Sequence, residues 1–162
     1  MDLSERNIHI LKGLRDLVGS NYNRIVSISG ALRKFFNEYG YSIIDTPLLE
    51  NTELFIRKSG GAMTSRLYTF TDPGGQKVSL RPEFTSSVIR YFLGNKDSIN
   101  LPVRFQYGGP VFRYETATPG NYRQFNQVGA ELVGSIKDEA SDDAEMFGLA
   151  LDGLKQINID QY

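Results

Sequence analysis

The sequence contains no cysteine, no tryptophan and a single histidine, His9. Without cysteine there is no disulfide, no thiolate nucleophile and no Cys-ligated zinc or iron–sulfur site. One histidine excludes a multi-His metal site within the chain, and a Ser-His-Asp triad would have to rest on His9. No partner constellation surrounds it, so it reads as a surface or packing residue. Charge of one sign is also lacking: 18 Lys and Arg stand against 19 Asp and Glu, a formal net charge of −1. A bulk basic footprint for nucleic acid is therefore missing, and any RNA contact must use a local patch or another domain. The most apolar stretch near the end, Met146 to Leu151, is far too short to span a bilayer and is followed by Asp152. Met1 to Arg6 carries Asp2 and Glu5 and lacks the basic-then-apolar order of a signal peptide. No membrane association and a cytoplasmic setting are expected. Gly-x-x-x-x-Gly-Lys and Gly-x-Gly-x-x-Gly spacings are absent, and Ser59-Gly60-Gly61 supplies neither.

What is present is ordinary for a globular protein. The 162 residues are 40% hydrophobic and 23% charged, enough for one domain spanning 1–162 with a real core. Ile25, Ile28, Leu32, Phe35 and Tyr39 recur at gaps of three and four and predict a helix after Ser20, a possible N-cap. Gly40 stands where a left-handed C-terminal cap belongs. Tyr41 to Asp45 reads as a strand ended by Pro47. A short helix starts at Asn51 and Thr52 and runs through Phe55 and Ile56, and Lys58 to Ser65 reads as a loop with Gly60 and Gly61. Strands at Arg66–Phe70 and Lys77–Leu80 flank the turn Asp72-Pro73-Gly74-Gly75. A helix runs from Thr85 to about Phe92, with Gly94 at its end. Strands follow at Val103–Tyr107, Val111–Glu115 and Tyr122–Val133, the last two joined by Thr116–Asn121 with Pro119-Gly120 as the turn. From Lys137 a helix carries the stripe Ala140, Ala144, Phe147, Leu151 and Leu154. Adjacent strands with flanking helices indicate α+β, with a mostly antiparallel sheet.

Alternation along the last two strands is the most informative feature. Every second side chain of a strand shares a face. Val111, Arg113 and Glu115 fall together, as do Arg123, Phe125, Gln127, Gly129 and Glu131. An arginine fork suits phosphate, because it donates two bonds at once. An aromatic ring can stack on a base. A carboxylate can accept from an exocyclic amine, and Gln with Glu can hold an ammonium or an imidazole. The assortment fits a nucleotide site beside an amino-acid site. Alternation alone favours a solvated polar face over a ligand site, since half-exposed antiparallel sheets have one anyway. Gly129, inside a strand, adds a hint of close approach.

Leu80-Arg81-Pro82-Glu83-Phe84-Thr85 forms a strand-to-helix junction, where backbone donors are free. The local reading is capping, with Thr85 as N-cap and Glu83 favourable near the positive end of the helix dipole.

Several segments occur in an order with a known parallel. They are Lys12-Gly13-Leu14-Arg15-Asp16, Tyr39-Gly40-Tyr41, Thr46-Pro47-Leu48-Leu49-Glu50, Tyr68-Thr69-Phe70 and Leu80-Arg81-Pro82-Glu83. Val111-Phe112-Arg113-Tyr114-Glu115, Tyr122-Arg123-Gln124-Phe125 and Gly129-Ala130-Glu131 complete the set. The ordered set, from about Lys12 to Leu154, resembles the N-terminal half of a class II aminoacyl-tRNA synthetase catalytic core of the histidyl type. The resemblance implies an α+β fold with an antiparallel sheet flanked by helices. It implies a homodimer through motif 1, here the Ile25–Tyr39 helix and the strand ending at Pro47. It implies activation of L-histidine by ATP with Mg2+, whose ligands are not identifiable in this chain, followed by transfer to tRNA. Arg113 would bind the α-phosphate and serve as the catalytic residue. Phe125 would stack on adenine, Glu115 would meet its edge and Arg123 would add a phosphate contact. Glu83, Thr85 and Gln127 would hold the α-amino group of histidine, and Glu131 its imidazole. Metal ligands: none are assigned.

The motif 2 loop departs from the family pattern Arg-Pro-Gln-x-Gly-Arg: it reads Thr116-Ala117-Thr118-Pro119-Gly120-Asn121, without two positive charges. Motif 3, a second histidine-binding arginine segment and an anticodon-binding domain are expected beyond Tyr162, so the chain is read as part of a catalytic core. The altered loop also fits the non-catalytic paralogue, the regulatory subunit of ATP phosphoribosyltransferase. Arg81-Pro82-Glu83 and Glu115 favour the synthetase. A third reading is a dimerising scaffold without ligand.

Overall fold

A computed structural model describes residues 8–59, 64–135 and 137–161. The expected glycine pair of the 58–65 loop, Gly60 and Gly61, and the N-terminal residues Met1 to Arg6 lie outside them. Among the described residues there are four α-helices: α1 (Gly19–Glu38), α2 (Thr52–Ser59), α3 (Thr85–Asn95) and α4 (Glu139–Gln156). Six strands accompany them: β1 (Ser42–Ile43), β2 (Leu49–Asn51), β3 (Thr69–Thr71), β4 (Lys77–Leu80), β5 (Val103–Phe112) and β6 (Gln124–Val133). The strands form two three-stranded sheets, β1-β5-β6 and β2-β4-β3. Every pairing is antiparallel except β1 with β5, which is parallel. The α+β class and the largely antiparallel character agree with the sequence reading. The single sheet of that reading is replaced by two.

The long hairpin β5–β6 sets the architecture. Its back face carries Val128 and Ala130, which pack against Phe35 and Phe36 of α1, Leu149 of α4 and Tyr41 from the segment between α1 and β1. Its front face carries Phe105, Tyr107 and Val111, which join Phe84, just before α3, and Val88 of α3 in the second core cluster. Tyr41, Phe84, Val88 and Val111 are fully shielded from solvent. α1 ends as expected: Tyr39 caps it and Gly40 takes φ +81°, a conformation that glycine adopts without a Cβ penalty.

Arg81 holds the two sheets together. It is 2% exposed at the end of β4. Its Nη1 donates to the Thr46 carbonyl at 2.6 Å and its Nε to the Pro110 carbonyl at 3.0 Å. Its own backbone N–H donates to Leu48, and its carbonyl accepts from Phe112. One side chain thus satisfies two buried carbonyls from separate segments, which would otherwise be costly orphans. Burial holds the Arg81 pKa below its ordinary value.

Several boundaries differ from expectation. Val103–Tyr107 and Val111–Glu115 are one continuous strand ending at Phe112. Phe112 donates its N–H away from β6, to Arg81. Two residues earlier, Pro110 has the same orientation, so its missing N–H falls on the side where β1 has already ended. The expected strand at Arg66–Phe70 begins only at Thr69, and Thr64–Arg66 is a 3-10 turn. α1 starts at Gly19 after Val18, so Ser20 is inside the helix rather than its cap. Gly94 lies within α3, which continues to Asn95. In α4, Phe147 is 72% exposed and Leu151 is also exposed, whereas Leu149 and Gly153 are buried. The buried face is rotated from the expected stripe, because Gly153 brings the helix backbone against Leu32 and Phe35 of α1.

Candidate active site

The hairpin register decides which side chains meet. Val111 pairs with Phe125, Gly109 with Gln127, Tyr107 with Gly129 and Phe105 with Glu131. Directly opposed residues in an antiparallel ladder share a face. Beyond the last ladder pair, the Arg113 N–H donates to the Arg123 carbonyl at 2.9 Å, so the pairing continues by one step. Arg113, Arg123, Phe125, Gln127 and Glu131 therefore lie on the face that alternation assigned to them. Glu115 does not continue it. Its N–H donates to the Arg113 carbonyl at 3.0 Å, a tight turn that ends the strand phase. The Glu115 carboxylate instead accepts from Arg66 at 3.4 Å. Arg66, Glu115, Ser65, Tyr114, Thr116 and Asn121 line a polar cavity of about 390 Å³ beside the hairpin turn.

The two arginines are held differently. Arg113 donates through Nε to the Pro82 carbonyl at 3.0 Å, and its Cζ lies 5.1 Å from the centroid of the Phe125 ring. Arg123 is engaged with backbone. Its Nε donates to the Glu115 carbonyl at 2.9 Å and its Nη1 to the Lys12 carbonyl at 3.2 Å. Its Cζ sits 4.0 Å from the Tyr114 ring centroid, and its backbone N–H donates to Gly13. Arg123 thereby ties the Lys12-Gly13 segment to the hairpin turn.

The start of α3 faces the far end of the hairpin. Thr85 does not cap the helix. The N-cap position is Phe84, and the Thr85 hydroxyl donates to Glu131 Oε1 at 2.7 Å. Capping falls to Glu83, whose carboxylate accepts from the Ser86 N–H at 3.1 Å and from the Ser86 hydroxyl. An acidic group at a helix N-terminus is electrostatically favoured. Gln127 Oε1 is buried, and no group among the described residues donates to it. An orphaned buried acceptor is costly unless a ligand completes it, and this one lies on the same face as Glu131. A ligand carrying N–H donors fits both.

Two side chains outside the expected set shape this region. Tyr107 donates its hydroxyl to Glu131 Oε1 at 3.1 Å. Burial first, and the neighbouring Glu131 charge next, push the Tyr107 phenol well above its ordinary pKa, so it remains a donor. Arg81 lies over the Phe84 ring at 3.8 Å, and Phe84 stacks on Tyr107 with centroids 4.4 Å apart and planes 8° apart. The sequence signal for this stack is a pair of glycines. At Gly109 a Cβ would come within 2.9 Å of Arg81, and at Gly129 within 2.5 Å of the Tyr107 hydroxyl. Among the described residues no three His, Cys, Asp or Glu side chains converge as metal ligands, and no helix is long and apolar enough to cross a membrane.

Comparison with known proteins is consistent in direction. The histidyl-tRNA synthetase family matches residues 13–162. A histidine–tRNA ligase of Methanococcus vannielii is 42% identical over 149 residues, covering 92% of this chain and 35% of that protein. The chain thus spans about a third of the length of the curated relatives it matches. The crystal structure of apo histidyl-tRNA synthetase from S. aureus superposes with a TM-score of 0.77 at 32% identity, covering 93% of this chain and 35% of that one. A structure described as an ATP phosphoribosyltransferase regulatory subunit/histidyl-tRNA synthetase from Bacillus halodurans gives a TM-score of 0.83 at 27% identity, covering 94% and 39%.

Proposed function

The chain belongs to the histidyl-tRNA synthetase family, and on that premise we propose that its hairpin face binds ATP and L-histidine within a histidine–tRNA ligase. The reaction is activation of histidine followed by transfer to tRNA. A histidine carboxylate oxygen attacks the α-phosphorus of ATP, the bond from that phosphorus to the bridging oxygen breaks, and pyrophosphate leaves. Arg113 meets the α-phosphate and offsets the charge that grows on its oxygens during in-line displacement. Phe125 takes the adenine ring, with Glu115 at the adenine edge. Arg123 lies beside the phosphates, with part of its guanidinium committed to backbone carbonyls. Gln127, Thr85 and Glu83 surround the α-amino group, and Glu131 accepts from the imidazole. Among the described residues both hydrogen bonds to the Glu131 carboxylate end on Oε1, which leaves Oε2 for the ligand. Mg2+, where bound with ATP, would supply charge neutralisation at the phosphates; no ligand to it is assigned among these residues.

The observation that carries the reading is the orphaned Gln127 acceptor on one face with Glu131 and with the Arg113–Phe125 pair. Transfer to tRNA belongs to the full-length protein, as does a cytoplasmic setting. A homodimer through α1 and the segment from β1, which ends at Ile43 rather than at the expected Pro47, belongs to the same reading, supported by the exposed apolar side chains of Val26, Tyr39 and Ile43 there.

The test is histidine-dependent exchange of pyrophosphate into ATP by the full-length protein. Exchange with histidine and not with other amino acids is expected. An intact protein that catalyses none, and that co-purifies with a phosphoribosyltransferase, would overturn this reading in favour of the regulatory paralogue.

A further inference from the structure

We propose that Tyr107 is a positioning residue for histidine recognition, fixing Glu131 as an acceptor whose second oxygen meets the imidazole. The inference rests on the histidine-binding reading of this face and assigns a function to a residue outside it.

The argument begins with register. Tyr107 is opposite Gly129, and Glu131 is two residues further along the same face of β6. A side chain at position 129 would stand between them. With glycine there, the phenol ring lies directly against the β6 backbone, where an added Cβ would meet Tyr107 Cε2 and Cζ at 2.6 Å. The hydroxyl then reaches Glu131 Oε1, which also accepts from Thr85. Two hydroxyl donors on one oxygen fix the orientation of the carboxylate and occupy that oxygen, so its other oxygen is the acceptor offered to a ligand. A carboxylate held in this way selects a ligand group that donates, as an imidazole N–H does.

The ring is not free to swing. Phe84 covers its other face at 4.4 Å in near-parallel contact, and the Arg81 guanidinium backs Phe84 at 3.8 Å. Arg81 in turn is bound to the Thr46 and Pro110 carbonyls. The phenol is therefore anchored through three layers to the junction of the two sheets. A hydrogen bond to a charged group on a preorganised donor is among the stronger ones in proteins.

The experiment is calorimetric titration of the full-length protein with L-histidine and, separately, with ATP. Tyr107→Phe removes the hydroxyl and keeps the stacked ring. It is expected to weaken histidine binding about tenfold, the worth of one charge-assisted hydrogen bond, and to leave ATP binding within twofold. In a Glu131→Gln background the same change is expected to add less than twofold, because Tyr107 acts through Glu131. Unchanged histidine affinity in Tyr107→Phe, equal weakening for both ligands, or a full tenfold loss in the Glu131→Gln background would each overturn the inference. Wild-type protein that gives no heat with histidine would instead overturn the binding reading on which it rests.

Discussion

Arg113 lies over the Phe125 ring at the turn end of the hairpin, the guanidinium carbon 5.1 Å from the ring centroid. The Pro82 carbonyl holds the arginine from the opposite side through Nε. The cation is thus carried on a fixed arm, while the aromatic plane beside it can receive a flat heterocycle. Arg113→Ala in the full-length protein should lower histidine-dependent ATP–pyrophosphate exchange by about 10²–10³-fold, the usual cost of removing one transition-state charge donor. Arg113→Lys should recover little of this, because an ammonium cannot reproduce the planar fork. Steady-state exchange kinetics check both.

Arg81 should matter for stability. Arg81→Ala leaves the Thr46 and Pro110 carbonyls buried without their donor and should lower unfolding free energy by about 3 kcal/mol. Arg81→Met should do little better, since it replaces volume and not the hydrogen bonds. Urea unfolding of each variant gives the measurement.

The back of the hairpin predicts the pH response. Arg104 donates to Glu145 through Nε at 2.9 Å and Nη2 at 3.0 Å, and Tyr41 donates to the same carboxylate at 3.2 Å. The hydrogen bonds from Arg104 are the main cause of a Glu145 pKa below its ordinary value. The resulting stabilisation is complete above the ordinary glutamate pKa and disappears as pH falls through the depressed folded value. Tyr41 acts at the other extreme: burial, reinforced by Glu145, pushes its phenol from 10.0 up to about 12. Its share is complete below the ordinary tyrosine value and is lost as pH rises toward the folded one. Glu145→Gln should flatten the acid limb of the stability profile and cost about 1 kcal/mol at neutral pH. Thermal melts across pH would show it.

Gly129→Ala should be destabilising by about 1–3 kcal/mol, the range for overpacking. The added methyl would fall within 2.5 Å of the Tyr107 hydroxyl, and the ring is pinned by Phe84 behind it. Denaturant midpoints report the loss. Because the displaced ring would no longer reach Glu131, histidine affinity should fall with it.

Much of the site's phase was legible because strands write their faces into alternate residues. Phe125, Gln127, Gly129 and Glu131 could be grouped from the sequence, and pairing then set Arg113 beside them. Glu115 was misplaced because a tight backbone turn follows Arg113, and alternation carries no sign of where a strand stops. The run Gly108-Gly109-Pro110 reads as a break but is strand. Its glycines admit Arg33 and Arg81, which are distant in sequence. The α4 face was misjudged for a related reason. Counting large apolar residues selects Phe147 and Leu151, whereas the helix approaches α1 through a residue with no side chain, Gly153. In the sequence Tyr107 marks only the end of an expected strand, because its contact with Glu131 depends on an empty position across the ladder.

The spacing of Arg113, Phe125, Gln127 and Glu131 comes from ladder register and not from the segment that closes the hairpin. That segment is fastened at its base by Arg123, and at its tip by the Thr118–Asn121 bridge and the bond from Asn121 to the Thr116 carbonyl. Its composition can therefore drift, exchanging cations for small polar residues, without moving any group on the working surface. What such drift alters is the charge presented beyond the end of the hairpin, so this short connection can vary in what it attracts while the surface beneath it stays unchanged.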